Sequence, residues 1–582
     1  MANNNIVSPG IYINETDQSF IPQGIIEAGA AIVGATAKGP VQVPTLVTSY
    51  NDYVAKFGGT VTSGSANGTY SFFNSTAAYS YFNNGGNTLL VSRIVSGTYS
   101  SAAASVSGST GIAAAGTSFI LKTIAQGADQ NSEALISPSN TSGLLSSGSK
   151  DNLRYEITQL NTGSGTFTLV IRRGDDDDND KKILEQYNNL TLDPFDSNFI
   201  GRSIGTMYST IANTGTATAT VETNGDYPNI SKYIYVSDIL ETPNYSDSSG
   251  NVRVAAYTAS LPMNTTAGTS SKGFLGATGV LPAGAKFGKD ITATSIQGNV
   301  AHEYTQSFYL LNDPAYTYTS IAAPGLNYKD DSAELNILLT NTKTRADALA
   351  VIDLTKYSDE SVAEAVTQAG AINNSYSAAY FPWMLCNDPL TGRLKWAPPS
   401  TFIPGVYAYN DKVGEPWFAP AGLNRGSLPT VVKTSTSLPK ASRDTLYEAK
   451  VNPITSFPNA GVVVFGQKTL QSKASALDRI NVRRLLITIK QFLDQQAGNI
   501  VFEQNTTATR NNFLAIVNPY LESVQQRQGL YAFKVVMDET INTPAVIDRN
   551  ELVGEVYLQP TKTAEFIILN FNVQPTGATF PE

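Results

Sequence analysis

His302, in "NVAHEYTQ", is the one imidazole available to this chain as a general base, and Cys386 is its one thiol. Nucleophilic catalysis needs a nucleophile, a base and an orienting group in reach of one another, and a zinc centre needs several His or Cys ligands. One of each completes neither, so His302 beside Glu303 reads as an ordinary surface or packed residue. The acidic run "GDDDDNDKKILEQ" invites comparison with a calcium loop. Begun at Asp175, such a loop needs Gly at position 180 and Glu at position 186, where this chain has Asp180 and Gln186. The run therefore predicts a solvated turn between "LVIRR" and "KKILEQY". "GAKFGKD" approaches a phosphate loop, but Ala283 stands at the first glycine position and Asp290 at the hydroxyl position. Carboxylate pairs for glycoside chemistry meet only in the fold, and no local pattern singles one out. The sequence thus predicts no catalytic, cofactor-binding or metal-ligating residue, no cofactor, and no enzyme.

Composition points the same way. At 582 residues about three to four domains are expected. The net charge of -9 carries no massed Lys/Arg block, which excludes direct nucleic-acid binding as the expected role. The opening "MANNNIVSPG" lacks a basic then apolar leader, and no run approaches the roughly 18 apolar residues of a membrane span. A soluble chain made in the cytoplasm, with no membrane insertion, is expected. One cysteine rules out an internal disulfide framework. Aromatics at 10% with charged residues at only 15% suit a protein whose surface is largely used in contacts.

The elements fall into three zones. "AAIVGATAKGP" predicts a buried strand leaving through Gly39-Pro40, and "TLLVSRIV" another. Residues 96–300 are rich in Ser, Thr, Gly and Ala, with alternating runs such as "RYEITQL" and "TFTLVIRR" that predict β-rich insertions. In the last zone "DRINVRRLLITIKQFLDQQAG" places Val482, Leu485, Leu486, Ile489, Phe492 and Leu493 on one helical stripe that stops at Gly498. A second helix starts near Thr507. Pro519 should kink or split it, and Gly529 should supply a left-handed cap. "LYAFKVVMD", "VGEVYL" and "TAEFIILNFNVQ" then read as three strands of a small α+β unit. Gly58-Gly59 and Gly85-Gly86 read as positive-φ punctuation, and Arg345 with Asp347 as an ion pair beside "ALAVIDL".

Several segments in order carry a family likeness: "SPGIYINE", "YFNNGGNTLLVSRI", "IAAPGL", "TRADALAVIDL", "YFPWMLCNDPLTGRLKWAPPSTFIPGVYAYNDKVGEPWFAPAG", "INVRRL", "IVFEQN", "DETINTP" and "PTKTAEFI". With these the chain resembles the tail sheath proteins of contractile phage tails; residues 96–300 carry no firm likeness. The fold class expected is α+β and α/β multidomain, with discontinuous inner domains built from both chain ends and β-rich insertion domains in the middle. The expected division is a connector arm over 1–22, a sheath core over 23–95 and 301–470, an outer insertion over 96–300, and an inner C-terminal unit over 471–582.

The resemblance implies a virion subunit that polymerises with itself as hexameric rings in a helical sheath. Its implied partners are the tail tube and the baseplate and neck proteins. It also implies that both terminal strands, with Pro9, Gly10, Ile11, Tyr12 and Ile13 at one end and Phe566, Ile567, Ile568, Leu569 and Phe571 at the other, pair with neighbouring subunits. The residues alone leave pairing within the subunit equally open. Lys473, Arg479, Arg483, Arg484 and Lys490 are expected either as a solvated helix face or as a positive face docking on an acidic tube. A receptor-binding virion protein with β-rich domains is the rival reading.

Overall fold

Runs such as AAIVG and LAVID show no polar alternation, the pattern of parallel strands covered on both faces. In the computed structural model, which describes residues 29–63, 68–108, 117–132, 143–263, 271–280, 303–458 and 460–565, these runs form the centre of one eight-stranded sheet. Its strands are β1 (Ala30–Gly34), β2 (Thr45–Val47), β3 (Leu89–Arg93), β4 (Ser320–Asn327), β5 (Leu349–Asp353), β6 (Ser377–Phe381), β7 (Val451–Phe457) and β8 (Gly461–Val464). They lie in the order β2-β3-β1-β4-β5-β6-β7-β8. The six inner strands are parallel, and an antiparallel strand closes each edge.

The period of two sorts the side chains between two cores. Val33, Ile321, Ala350, Ile352 and Phe381 pack on one face with Leu335, Leu338 and Phe308. Ala322, Leu349, Val351, Ala378 and Tyr380 pack on the other with Trp383, Phe402 and Tyr407. Helices Ser332–Arg345 and Val362–Gly370 make the crossovers between β4, β5 and β6. Arg345, in the last turn of the first, grips Asp347 through two nitrogens at 2.9 and 2.8 Å and donates to the carbonyls of Leu311, Asp313 and Tyr316. The expected ion pair is therefore part of a larger clamp. Of the paired glycines, Gly58 and Gly85 have positive φ, at 70° and 98°. Gly59 and Gly86 are instead places where Leu390 and the Tyr81 ring press close on the backbone.

Between β3 and β4 the chain builds a separate β structure. A three-stranded sheet of Ser101–Ser107, Thr117–Gln126 and Ile234–Ser237 and a four-stranded sheet of Leu153–Asn161, Thr166–Arg173, Ile183–Leu190 and Ser271–Gly273 share one core. Phe119 stacks on Phe167 within it, with ring centres 5.8 Å apart. The acidic run does form the turn between the second and third of those four strands, but it is not simply solvated. Asp176 is buried and accepts from Arg172, Arg154 and the Lys182 amide, because Arg154 and Arg172 are themselves fully buried and need a counter-charge. This unit is fastened to the sheet by buried Arg93 of β3, which donates to the Gly39 and Gln126 carbonyls, both at 2.7 Å. Lys232 adds an ion pair to Asp52 at 3.1 Å.

Asp353, at the end of β5, is buried with no cation beside it among the described residues. It accepts from the Ser400 hydroxyl (2.5 Å), the Ser400 amide (3.1 Å) and the Gly325 amide (3.3 Å). Burial pushes its pKa up to about 6 against those donors. A folded-state value above the unfolded one, about 3.9, means that the folded protein binds the proton more tightly. This group's contribution is therefore full at low pH and falls by about 3 kcal/mol between roughly pH 4 and pH 7. Asp353→Asn should remove that part of the pH dependence when denaturant midpoints of the two proteins are compared across the range. Parallel profiles would show that the carboxyl is not held as described.

Candidate functional site

The segment "INVRRLLITIKQFLDQQAG" contains no proline or interior glycine and folds as one helix, Ile480–Gly498. Its apolar residues serve two cores at once: Ile480 and Ile487 join the core under the sheet, while Leu485 and Ile489 join a C-terminal core with Trp417, Phe513, Val517 and Leu521. Phe492 and Leu493 lie half-buried near its end, and Phe492 stacks on Tyr520.

The five basic residues on and before this helix do not share one exposed face, which corrects that expectation. Arg483 and Arg484 are only 3% and 4% exposed. Arg483 lies 3.9 Å over the Tyr376 ring and donates to Ser375 Oγ at 2.6 Å, and burial lowers its pKa. Arg484 reaches Asp411 at 2.5 Å and sits 4.7 Å over Tyr407, whose hydroxyl is 2.8 Å from that of Tyr380. The delocalised guanidinium is weakly hydrated and stacks on aromatic faces, so these two arginines can be buried where lysines would not. Arg479, at the helix start, pairs with Asp478 (2.9 Å) and Glu565 (2.7 Å). Lys473 and Lys490 are exposed; Lys490 donates to Tyr376 Oη at 2.9 Å.

The second helix runs from Thr507 to Gln526, capped by Thr506, whose hydroxyl accepts from the Thr509 amide. Pro519 lies inside it without splitting it. The left-handed residue after it is Gln528 (φ 65°), not Gly529; the Gly529 amide instead closes back on the Val524 carbonyl at 2.8 Å. Two strands follow, Leu530–Val536 and Glu555–Pro560, paired antiparallel with each other and, among the described residues, with no other strand. Phe533, Val535, Val556 and Leu558 face the C-terminal core, while Tyr531 and Tyr557 are 64% and 56% exposed. Such a ribbon offers backbone donors and acceptors along both outer edges.

Pro9, Gly10, Ile11, Tyr12 and Ile13 and Phe566, Ile567, Ile568, Leu569 and Phe571 lie outside the described residues, as does His302. Cys386 is fully buried and its thiol is pushed up to about 11 by that burial. No group of three His, Cys, Asp or Glu able to hold a metal ion occurs among the described residues. Sequence reasoning missed Tyr376, Tyr407 and Asp411 as partners of the arginines. Tyr407 and Asp411 stand i and i+4 on helix Ile403–Val413, the one local sign that they face one way.

Two family profiles match: the phage tail sheath protein central domain over residues 297–470 and the phage tail sheath C-terminal domain over residues 472–574. A tail sheath protein of Vibrio phage KVP40 is 40% identical over 216 residues, covering 37% of this chain and 31% of that protein. One of Enterobacteria phage T4 is 40% identical over 188 residues, covering 32% and 28%. The chain thus spans about a third of the length of the curated relatives it matches. A crystal structure of a sheath tail protein from Listeria innocua, 10% identical, superposes with a TM-score of 0.51 over 92% of this chain and 95% of the other, which shows a shared fold.

The burial of Arg484 sets an expectation for thermal denaturation. Arg484→Ala leaves Asp411 without its cation and opens a gap against Tyr407, and should cost about 2 kcal/mol; Lys490→Ala should stay within about 0.5 kcal/mol. Equal, small effects would show that the arginine is not built into the fold.

Proposed function

We infer that this chain, whose residues 297–470 and 472–574 belong to the phage tail sheath family, is a structural subunit of a contractile tail sheath. The observation that carries the reading is the order and adjacency of the two matched domains, joined on one helix that serves both cores. Subunits assemble as hexameric rings stacked around a tail tube, between baseplate and neck proteins. They contract to a shorter, wider packing that drives the tube through the host envelope. The work comes from better subunit contacts released over a kinetic barrier, so neither nucleotide nor cofactor is required. The protein is a component of the virion tail, made in the host cytoplasm.

Within the subunit, residues 23–95 and 301–470 act as one discontinuous domain; the pairing of β1 with both β3 and β4 supports this. Residues 96–300 form the outer insertion and 471–582 the inner unit. The terminal segments, 1–22 and the one carrying Phe566 to Phe571, pair with neighbours. The ribbon of Leu530–Val536 and Glu555–Pro560 supports this as an acceptor, since strand addition needs an open edge. About five or six backbone hydrogen bonds at roughly 0.5–1.5 kcal/mol each would hold neighbours together while their bodies move. Contact with an acidic tube falls to Lys473 and Lys490, with the Tyr376 ring beneath the latter, because Arg483 and Arg484 are occupied inside the subunit. The receptor-binding reading draws no support from the β unit, which is spliced between strands of the central sheet.

Two outcomes test this. Removing residues 566–582 should leave a soluble, folded subunit that forms no striated tubes in negative-stain electron microscopy; tubes of normal width from the truncated chain would sink the connector role. The pair Lys473→Glu and Lys490→Glu should still form sheath but lose its hold on a purified tube at a lower salt concentration than the parent. Unchanged salt sensitivity would show that the tube contact lies elsewhere.

A further inference from the structure

Thr561 still follows the ribbon, its amide donating to the Gly529 carbonyl at 3.2 Å, but the four residues after it turn onto the central body. There the Glu565 carboxylate is held from three places. One oxygen accepts from Arg479 Nε at 2.7 Å and Gln467 Nε2 at 3.0 Å, and the other from the Tyr447 hydroxyl at 2.8 Å. Gln467 Nε2 also donates to Thr563 Oγ1 at 2.5 Å. Tyr447 belongs to helix Lys440–Glu448, which packs on β7; its ring carries Lys468 Nζ 4.0 Å above it, and Lys468 donates to the Tyr447 carbonyl. Gln467 is 3% exposed. Arg479 opens the helix whose Arg483 and Arg484 reach Tyr376 and Asp411. Three polar side chains thus converge on a residue that follows the strand Glu555–Pro560 by only a few positions.

We propose that Glu565 is the root that ties the C-terminal segment to the body of the subunit, so that tension on residues 566–582, held by a second copy of this chain, passes through Arg479 into the helix Ile480–Gly498 and on to the sheet. The proposal rests on the sheath reading for what pulls, and on the geometry alone for where the pull ends. Among the described residues the ribbon is paired only with itself and would unzip one hydrogen bond at a time if it took that load. A carboxylate with charged and neutral donors from separate elements must lose them together. Arg479 divides its charge between Asp478 and Glu565, and its outward course places the same guanidinium at the helix start and at the segment's exit.

Trypsin reads the root directly in the full chain, because Lys562 is exposed and stands three residues before Glu565. Glu565→Gln and Arg479→Glu should each raise the rate of cleavage after Lys562 by about tenfold relative to cleavage after exposed Arg253 in the same molecule, and the double exchange Arg479→Glu with Glu565→Arg should bring it back to within about twofold of the parent. Equal rates in all four proteins would overturn the root. In assembled tubes the Glu565→Gln chain should shed subunits under osmotic shock while the charge-exchanged chain does not; equal durability would overturn the load path. If the parent chain forms no tubes at all, the sheath reading fails and the cleavage rates still decide the root.

Discussion

The pairing of β1 with β4 is the constraint on which the rest of this molecule depends. It is a short contact, Ala31 beside Ile321 and Ile32 beside Ala322, reinforced where Thr319 and Ser320 hydroxyls donate to the Gly29 carbonyl. It nevertheless joins two stretches of chain separated by the whole β unit. Loop-closure entropy grows only with the logarithm of the intervening length, so a long insertion that folds on its own adds little to the cost of this closure. Once it is made, β3 and β2 are fixed on one side and β5 to β8 on the other, and both faces of the sheet acquire their cores. The β unit then docks through Arg93 and Lys232 onto a surface that exists only because the sheet has formed.

The helix Ile480–Gly498 carries that rigidity outward. Its two apolar stripes face two different cores, so the C-terminal unit cannot rotate against the sheet without breaking one of them. Arg483 and Arg484 add a second restraint of different character. Their partners are aromatic faces, a hydroxyl and one carboxylate, contacts that tolerate less displacement than apolar packing because ring stacking and charge-assisted bonds are directional. In the sheath proposed above, movement between subunits has to be taken up beyond this helix.

Much of the scaffold was legible in the sequence for a simple reason. Parallel strands buried on both faces leave unbroken apolar runs, and AAIVG, TLLVSRIV and LAVID were readable as strands on that ground alone. The helix at 480–498 and the paired strands after 530 were legible from their periods. What stayed hidden depended on partners far along the chain. Arg483 and Arg484 look like solvated charge until Tyr376 and Tyr407 are brought beneath them. Asp176 looks like one of several turn aspartates until it proves to be the fully buried carboxylate that Arg154 and Arg172 share. The left-handed turn moved from Gly529 to Gln528 because the glycine was needed for close approach to Val524 and Trp417 rather than for its dihedral freedom.

The lone cysteine has a meaning on a longer timescale. Cys386 is sealed between the sheet and its neighbouring strands, and that burial pushes its thiol up to about 11. At neutral pH the reactive thiolate is then scarce. In the assembly proposed above, where copies of this chain lie side by side, that guards against ageing: the one thiol offers an oxidant little thiolate to attack, and no accidental disulfide welds neighbouring copies together.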